Sequence, residues 1–263
     1  MSGIDDLFAT TRAEGRGALI GYLPAGFPTV EGSKDLIAAT IDGGADLIEV
    51  GVPYSDPVMD GPTIQAASVT ALDNGFRLKH VFEVVESISA RGGRAVVMTY
   101  WNPVHRYGVD RFSRDLAAAG GLGLITPDLI PDEAGEWMTA SEAHGLDRTF
   151  LVAPSSSEER IVRTVHAASG FVYATAVMGV TGARDQVGAG AEELVRRTRA
   201  HTSLPIGVGL GVRSGDQAAQ VASFADAVIV GSALVTAAAE GPEGVRRLSE
   251  ELADGVRRAV TPA

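Results

Sequence analysis

Two acidic side chains, Glu49 and Asp60, stand eleven residues apart in the stretch LIEVGVPYSDPVMDGP, which covers residues 47–62. Glu49 falls near the end of an apolar run with the character of a β-strand, whereas Asp60 follows on a loop that contains prolines. Burial among apolar residues raises the pKa of a carboxyl group towards neutrality, so that one side chain can both donate and accept a proton. We therefore interpret Glu49 as a catalytic acid or base. The alternative interpretation is a structural glutamate that pairs with an arginine.

The chain is organised as short apolar runs that alternate with longer segments of helical spacing. Eight strand–helix units in about 250 residues are typical of a (β/α)8 TIM barrel, an α/β fold. We predict a single barrel domain over residues 1–263, with extra helices over 3–13 at the N-terminus and over 62–74 after the second strand. A doubly wound open sheet is the alternative, but its glycine-rich phosphate loop normally follows an early strand, and here the glycine-rich turns come last. The predicted strands are 18–23, 46–50, 95–100, 122–126, 148–153, 171–176, 205–210 and 227–231.

The barrel prediction gives Glu49 a position in the fold. Active sites of this fold lie at the C-terminal ends of the strands, on the loops that follow them. Leu47 and Glu49 share one face of the second predicted strand, because side chains alternate along a strand. If that face points inwards, Glu49 lies near the top of an apolar interior. The only basic residue in the predicted strands is Arg148, at the start of the fifth and therefore at the wrong end to pair with Glu49.

Glycine-bearing turns follow the last three predicted strands. The segment GVGLGVRSG (207–215) follows the seventh strand, and VGSALV (230–235) follows the eighth. Loops at these two places in a barrel often bind phosphate, because glycine lets backbone N–H groups approach an anion closely. The segment 178–190, after the sixth strand, holds a further candidate glycine. We predict a phosphorylated substrate, and the predicted phosphate-binding residues are Gly182, Gly211, Gly231 and Ser232.

The composition argues against several kinds of chemistry and partner. The chain has no cysteine and a formal net charge of −11, which removes thiol chemistry and disfavours nucleic-acid binding. Its two lysines, Lys34 and Lys79, fall in helical segments, so a Schiff-base mechanism is hard to build. The five histidines include no pair at metal-ligand spacing. We therefore expect no metal and no covalent cofactor.

The sequence also bears on location. The longest uncharged apolar run, 227–239, has 13 residues, fewer than the roughly 20 that cross a bilayer. The first residues, MSGIDDLF, are acidic and lack the basic-then-apolar layout of a secretion signal. We expect a cytoplasmic protein with no membrane partner.

Several segments of the chain resemble the tryptophan synthase alpha subunit family, and the resemblance extends over essentially the whole sequence. This family is a (β/α)8 barrel that cleaves indole-3-glycerol phosphate into indole and glyceraldehyde 3-phosphate by a retro-aldol reaction. Its members work with a beta subunit that carries pyridoxal phosphate, so the resemblance implies an alpha2-beta2 heterotetramer and no cofactor in this chain. The similar segments are YLPAGFP (22–28), LIEVGVPYSDPVMDGPTIQ (47–65), MTYWNPV (98–104), FVYATAVMGVTGAR (171–184), VGLGVRSG (208–215) and IVGSALV (229–235).

The resemblance implies roles for particular residues. Glu49 matches the acid that protonates a ring carbon of indole, and Asp60 matches the carboxylate that accepts a hydrogen bond from the indole N–H. Tyr173 matches an active-site tyrosine, with a packed core aromatic as the alternative. Thr181 matches a lid residue that contacts Asp60 on closure. The remaining implied positions are pocket walls at Tyr22, Tyr100 and Ile125, which equally fit a plain core, and a beta-facing surface near Pro53, Asn102 and Pro131.

Three other functions stay open at this point. The chain fits a stand-alone lyase that releases free indole, and it fits a non-catalytic barrel kept as an activator of a beta subunit. An isomerase that acts on another phosphorylated substrate is the third alternative. The presence of both Glu49 and Asp60 favours a catalytic chain over an inactive activator.

Overall fold

The structure is a computed structural model that describes residues 3–175, 184–209 and 211–259. The described residues contain nine strands that form one sheet. Most strands are short and buried on both faces, which explains their nearly continuous apolar sequences. In chain order the strands are β1 (Ala18–Pro24), β2 (Leu47–Gly51), β3 (Ala95–Met98), β4 (Gly123–Ile125), β5 (Asp147–Thr149), β6 (Leu151–Val152), β7 (Val172–Thr175), β8 (Ile206–Gly209) and β9 (Ala227–Val230).

The strand order in the sheet is β5-β4-β3-β2-β1-β9-β8-β7-β6, and each paired strand runs parallel to its neighbour. β5 and β6 occupy the two ends of this order, yet Phe150 alone separates them in the chain. The sheet therefore curves into a nearly closed barrel, and the predicted TIM-barrel fold is confirmed. The single strand predicted over 148–153 is wrong in one detail, because its first part pairs with β4 and its second part with β7.

Helices surround the barrel, and the two predicted extra helices are present as the first and third of them. The fifth and eleventh helices were not predicted as separate elements. Within the described residues, no helix is both long and apolar enough to span a membrane. In chain order the helices are α1 (Gly3–Ala13), α2 (Val30–Asp42), α3 (Pro62–Asp73), α4 (His80–Ala90), α5 (Trp101–Tyr107), α6 (Val109–Ala118), α7 (Gly135–His144), α8 (Glu158–Ala167), α9 (Arg184–Arg199), α10 (Gly215–Ala222), α11 (Ser232–Ala237) and α12 (Gly241–Arg258).

The apolar core has an inner layer and an outer layer. The outer layer lies between the strands and the helices, and the inner layer fills the barrel. Helix α1 contributes Ile4, Leu7 and Phe8 to the inner layer, and the ring centroid of Phe8 lies 6.0 Å from that of Phe171. Since α1 leads into the start of β1, it closes the N-terminal end of the barrel. The candidate site lies at the opposite end of the barrel, at the C-terminal ends of the strands.

Candidate active site

Glu49 lies inside the barrel on β2, two residues before Gly51, the last residue of the strand. Its strand neighbour Leu47 belongs to the inner core layer, and alternation puts Glu49 on the same face. The Glu49 residue is only 1 % exposed, and neither carboxylate oxygen has a hydrogen-bond partner among the described residues. Burial raises the pKa of Glu49 to about 8, with a smaller contribution from the charge of Asp60. The arrangement favours a proton-transfer group over the alternative, a glutamate paired with an arginine.

Tyr22 lies beside Glu49 because the two residues are register partners in the parallel pair β1–β2. A Cβ atom built on Gly51 would lie 2.3 Å from Oη of Tyr22, so the ring occupies the space that a side chain at residue 51 would need. Gly51 and Glu49 are two residues apart and face the same way, so the tyrosine covers the mouth side of Glu49. Because Gly51 has no side chain, the Tyr22 ring can lie there and exclude water from Glu49.

Tyr173 on β7 repeats this arrangement on another side of the mouth. A Cβ atom built on Gly209 would lie 2.5 Å from Oη of Tyr173. Burial raises the pKa of both Tyr22 and Tyr173 well above the usual range for tyrosine, and the charge of Glu49 contributes in each case. Both hydroxyl groups therefore stay protonated at neutral pH and can donate hydrogen bonds.

Asp60 is half-buried on the loop between β2 and α3. Backbone contacts hold this loop, since the Met59 N–H donates to Oη of Tyr100 at 2.9 Å and Nε2 of Gln65 donates to the Asp60 carbonyl at 2.8 Å. Pro62 begins α3 directly afterwards, which suits the first turn of a helix. Burial raises the pKa of Asp60, and hydrogen bonding from the Tyr100 hydroxyl partly offsets this change. The loop thus presents a carboxylate that has both solvent contact and polar neighbours.

The two other predicted wall residues, Tyr100 and Ile125, lie near the C-terminal ends of the neighbouring strands β3 and β4. Tyr100 is buried at the start of α5, and its ring centroid is 5.1 Å from that of Tyr54. Ile125 ends β4 and is buried in the inner core layer. Tyr54 and Gln65 were missed by sequence reasoning, because their contacts join residues that no local pattern connects. The only sequence feature that could have pointed to Tyr54 and Gln65 is their position within the segment 47–65, which resembles the family.

The predicted phosphate-binding residues follow β8 and β9, which are neighbours in the sheet. Gly211 is exposed and has a φ of +69°, a conformation that favours glycine. Gly231 precedes α11, and Ser232 is the first residue of this helix. These three residues therefore lie at the same end of the barrel as Glu49. Gly182 and Thr181 lie outside the described residues.

The predicted beta-facing residues differ in exposure. Pro53 is buried, Pro131 is half-buried at the start of a short 3₁₀ turn, and Asn102 is exposed. Nδ2 of Asn102 donates to Oη of Tyr54 at 3.1 Å, which connects this position to the loop that carries Asp60. Burial of Pro53 means that it supports a surface rather than forming one, and the interface role of all three residues stays a prediction.

The described residues contain no group of three or more histidine, aspartate or glutamate side chains that could hold a metal ion. The side chains described above at the mouth carry carboxyl and hydroxyl groups. A parallel barrel whose buried acid, towards the C-terminal ends of the strands, has no hydrogen-bond partner within the described ranges defines a barrel enzyme that works by proton transfer.

The comparisons with known proteins specify this enzyme further. A family model described as tryptophan synthase alpha chain matches residues 8–260. The tryptophan synthase alpha chain of Nocardia farcinica is 64 % identical over 258 residues, which cover 98 % of this chain and 97 % of that one. The alpha chain of Mycobacterium tuberculosis strain H37Ra is 62 % identical over 256 residues, 97 % of this chain and 95 % of that one.

Solved structures agree with the sequence matches. A chain of Mycobacterium tuberculosis tryptophan synthase superposes with a TM-score of 0.93 at 62 % identity, covering 97 % of this chain and 98 % of that one. Tryptophan synthase subunit alpha from Legionella pneumophila superposes with a TM-score of 0.87 at 31 % identity, covering 99 % and 98 % of the two chains. The chain belongs to the tryptophan synthase alpha chain family. It is a carbon–carbon lyase that cleaves indole-3-glycerol phosphate to indole and glyceraldehyde 3-phosphate in tryptophan biosynthesis, and its family implies a beta subunit as partner.

Proposed function

We propose that Glu49 carries the proton in both halves of the cleavage. In the first half, protonated Glu49 gives its proton to the indole ring carbon that bears the glycerol phosphate chain, and a tautomer with a weakened carbon–carbon bond forms. In the second half, the carboxylate takes the proton of the adjacent side-chain hydroxyl as that bond breaks and an aldehyde forms. The bonding electrons return to the indole ring, and Glu49 ends protonated as it began.

The observation that carries this proposal is the isolation of Glu49. A carboxyl group with no hydrogen-bond partner among the described residues and a pKa of about 8 exists in both protonation states near neutral pH. A group of this kind meets both requirements of the reaction, because it is acidic enough to donate and basic enough to accept.

Asp60 has a complementary role in the proposed mechanism. Protonation of the ring carbon leaves positive charge on the indole nitrogen, and a nearby carboxylate that accepts the N–H bond stabilises this charge. The two anchors of its loop, at Tyr100 and Gln65, support a fixed position for the carboxylate. Tyr173 and Tyr22 are proposed to bound the reacting part of the substrate with their hydroxyl groups, because Tyr22 is the register partner of Glu49 and the charge of Glu49 raises the pKa of both tyrosines.

The phosphate end of the substrate is proposed to bind at Gly211, Gly231 and Ser232. Their place after neighbouring strands supports this, since glycine leaves backbone N–H groups open to an anion. The predicted contributions of Gly182 and Thr181 belong to the same proposal.

The finer assembly is also a proposal. We propose an alpha2-beta2 complex in which this chain holds no cofactor and the beta subunit holds pyridoxal phosphate. Large apolar side chains on the loops after β2 and β4 support a docking face at the C-terminal end, since Val58 is 78 %, Met59 51 % and Ile130 42 % exposed. The cytoplasmic location expected from the sequence stays a prediction. Nothing in the structure or the comparisons favours the stand-alone lyase, the inactive activator or the isomerase.

Indole release from indole-3-glycerol phosphate tests the proposal, with the chain alone and with a beta subunit. We expect measurable indole from the chain alone and a large increase when the beta subunit is added. Full activity without the partner would instead support a stand-alone lyase. No indole under either condition would contradict the proposed chemistry.

A further inference from the structure

A cleft of about 720 Å³ lies next to the predicted phosphate-binding residues. It includes Thr63, which is three residues beyond Asp60 at the start of α3, and Ser232 at the start of α11. The cleft therefore reaches the end of the barrel at which Glu49 lies. Its charged lining residues are Arg213, Arg247, Glu240 and Glu251.

Three of these four charged residues already have partners within the protein. Nη2 of Arg247 lies 2.5 Å from Oε2 of Glu240. Oε1 of Glu251 accepts a hydrogen bond of 2.8 Å from the Gly215 N–H. The guanidinium of Arg213 has no acidic partner among the described residues. Arg213 is thus the positive charge that the cleft offers to a ligand.

The main chain of Arg213 is fixed, although its guanidinium has no acidic partner among the described residues. Its backbone N–H donates to Oε1 of Gln217 at 2.7 Å, and the preceding residue, Val212, is buried. Oγ of Ser214 accepts from the Gln217 N–H, so the start of α10 is capped by its own residues. The side chain therefore begins from a fixed point two residues after Gly211.

We propose that Arg213 is a specificity residue that binds the phosphate group of the substrate from the cleft side of Ser232. This rests on the proposed function, because it assumes that phosphate binds near Gly211, Gly231 and Ser232. A guanidinium suits the task, since its planar set of N–H donors matches two phosphate oxygens and its charge does not titrate near neutral pH. In a chain with a net charge of −11, a local cation also offsets the repulsion of a phosphate dianion.

The test compares Arg213→Ala with the wild-type chain in two measurements. In indole release, we expect KM to rise about tenfold with kcat within twofold, the size of one lost charge-assisted hydrogen bond. In calorimetric titration with inorganic phosphate, we expect the same rise in Kd without turnover. Arg213→Lys should recover part of both losses, because it keeps the charge but not the fork of donors. Added salt should reduce the difference between the variants.

Arg246→Ala is the matched control. It removes the same charge from α12, where Arg246 pairs with Glu243 and Glu250 on the surface and does not line the cleft. We expect its KM and phosphate Kd to stay within twofold of the wild type. The proposal is overturned if Arg213→Ala leaves both constants within twofold while indole is still released. If the wild type releases no indole, the proposed function fails, but the phosphate titration still decides whether Arg213 binds the anion.

Discussion

Asp46 directly precedes strand β2 and Glu49 lies two residues before its C-terminal end, and the two carboxyl groups are held in opposite ways. At the N-terminal end, both carboxylate oxygens of Asp46 accept hydrogen bonds of 2.8 Å from the Arg16 guanidinium, and Oδ2 also accepts from the Leu19 N–H at 2.8 Å. At the C-terminal end, Glu49 has no hydrogen-bond partner among the described residues, although it is more deeply buried.

The difference shows how one strand serves both stability and chemistry. A carboxylate with three charge-assisted bonds is stabilised as an anion and contributes to folding, but it cannot easily give up or take a proton. A carboxyl group without partners is costly to bury, and that cost keeps its pKa within reach of neutral pH. The two ends therefore follow the general division in barrels between a stabilising N-terminal face and a functional C-terminal face.

Glu49→Gln is the strongest test of this difference between Asp46 and Glu49. The substitution keeps the shape of the side chain and removes its titratable proton. We expect kcat for indole formation to fall about 10²- to 10⁴-fold, the usual range for a general acid–base group, with little change in KM. Glu83→Gln, on the exposed face of α4, is the control and should have normal turnover. A kcat for Glu49→Gln within tenfold of the wild type would remove Glu49 from the mechanism.

Asp60→Asn should have the next largest effect. Loss of the carboxylate removes the stabilisation of positive charge on the indole nitrogen, and we expect kcat to fall about 10²-fold. Because the charge of Asp60 also raises the pKa of Glu49, that pKa should fall below about 8 in the variant. The high-pH limb of kcat/KM, on which Glu49 loses its proton, should therefore move to lower pH. An unchanged limb would show that the two carboxyl groups do not interact.

Gly51→Ala tests whether packing keeps Glu49 dry. The added methyl group would lie 2.3 Å from Oη of Tyr22, so the ring must move. Overpacking of this kind costs about 1–3 kcal/mol, and we expect a loss of kcat/KM of about tenfold together with a lower pKa for Glu49 as water enters. Gly190→Ala is the control, since nothing lies within 4 Å of a Cβ atom there. A normal pH profile for Gly51→Ala would contradict this role of the Tyr22 ring.

The stability of the fold should depend on pH through Glu49. Its pKa of about 8 in the folded chain is above the ordinary value of 4.5, so the folded state holds the proton more tightly than the unfolded state. The contribution of Glu49 to the free energy of unfolding is therefore fully present below pH 4.5 and is lost as the pH rises towards about 8. Relative to the wild type, Glu49→Gln should gain a few kcal/mol in free energy of unfolding between pH 4.5 and pH 8. Denaturant titrations of both chains at pH 4.5 and pH 8 measure the free energies of unfolding. The same difference between variant and wild type at the two pH values would contradict this prediction.

Asp46→Asn should affect stability alone. It weakens the bonds to Arg16 and Leu19, and we expect a loss of about 2 kcal/mol in the free energy of unfolding, the scale of hydrogen bonds to a charged group. The kcat and KM for indole formation at a temperature where the variant is folded should stay within twofold of the wild type. A fall in kcat similar to that of Glu49→Gln would end the distinction between the two ends of β2.

Much of the fold could be predicted because it depends on local patterns. The alternation of apolar runs and helical segments predicted the barrel, and α1 has the predicted bounds of 3–13. The division of the fifth strand at Phe150 was missed, because it depends on which strands meet where the barrel closes. The burial of Pro53 could not be predicted either, since a proline on a polar loop has no local sign of being buried.

The sequence by itself determined the order of the elements, the face of β2 on which Glu49 lies and the stiff loop that carries Asp60, because alternation and proline act within a few residues of chain. Only the tertiary structure decided that Asp46 meets Arg16, that Tyr22 lies over Gly51 and that Glu49 has no hydrogen-bond partner in the described parts of the chain. These outcomes depend on residues that are far apart in the chain and become neighbours only when the barrel closes. Desolvation is a property of that closed assembly, so the pKa of the acid was settled by the fold rather than by its neighbours in sequence.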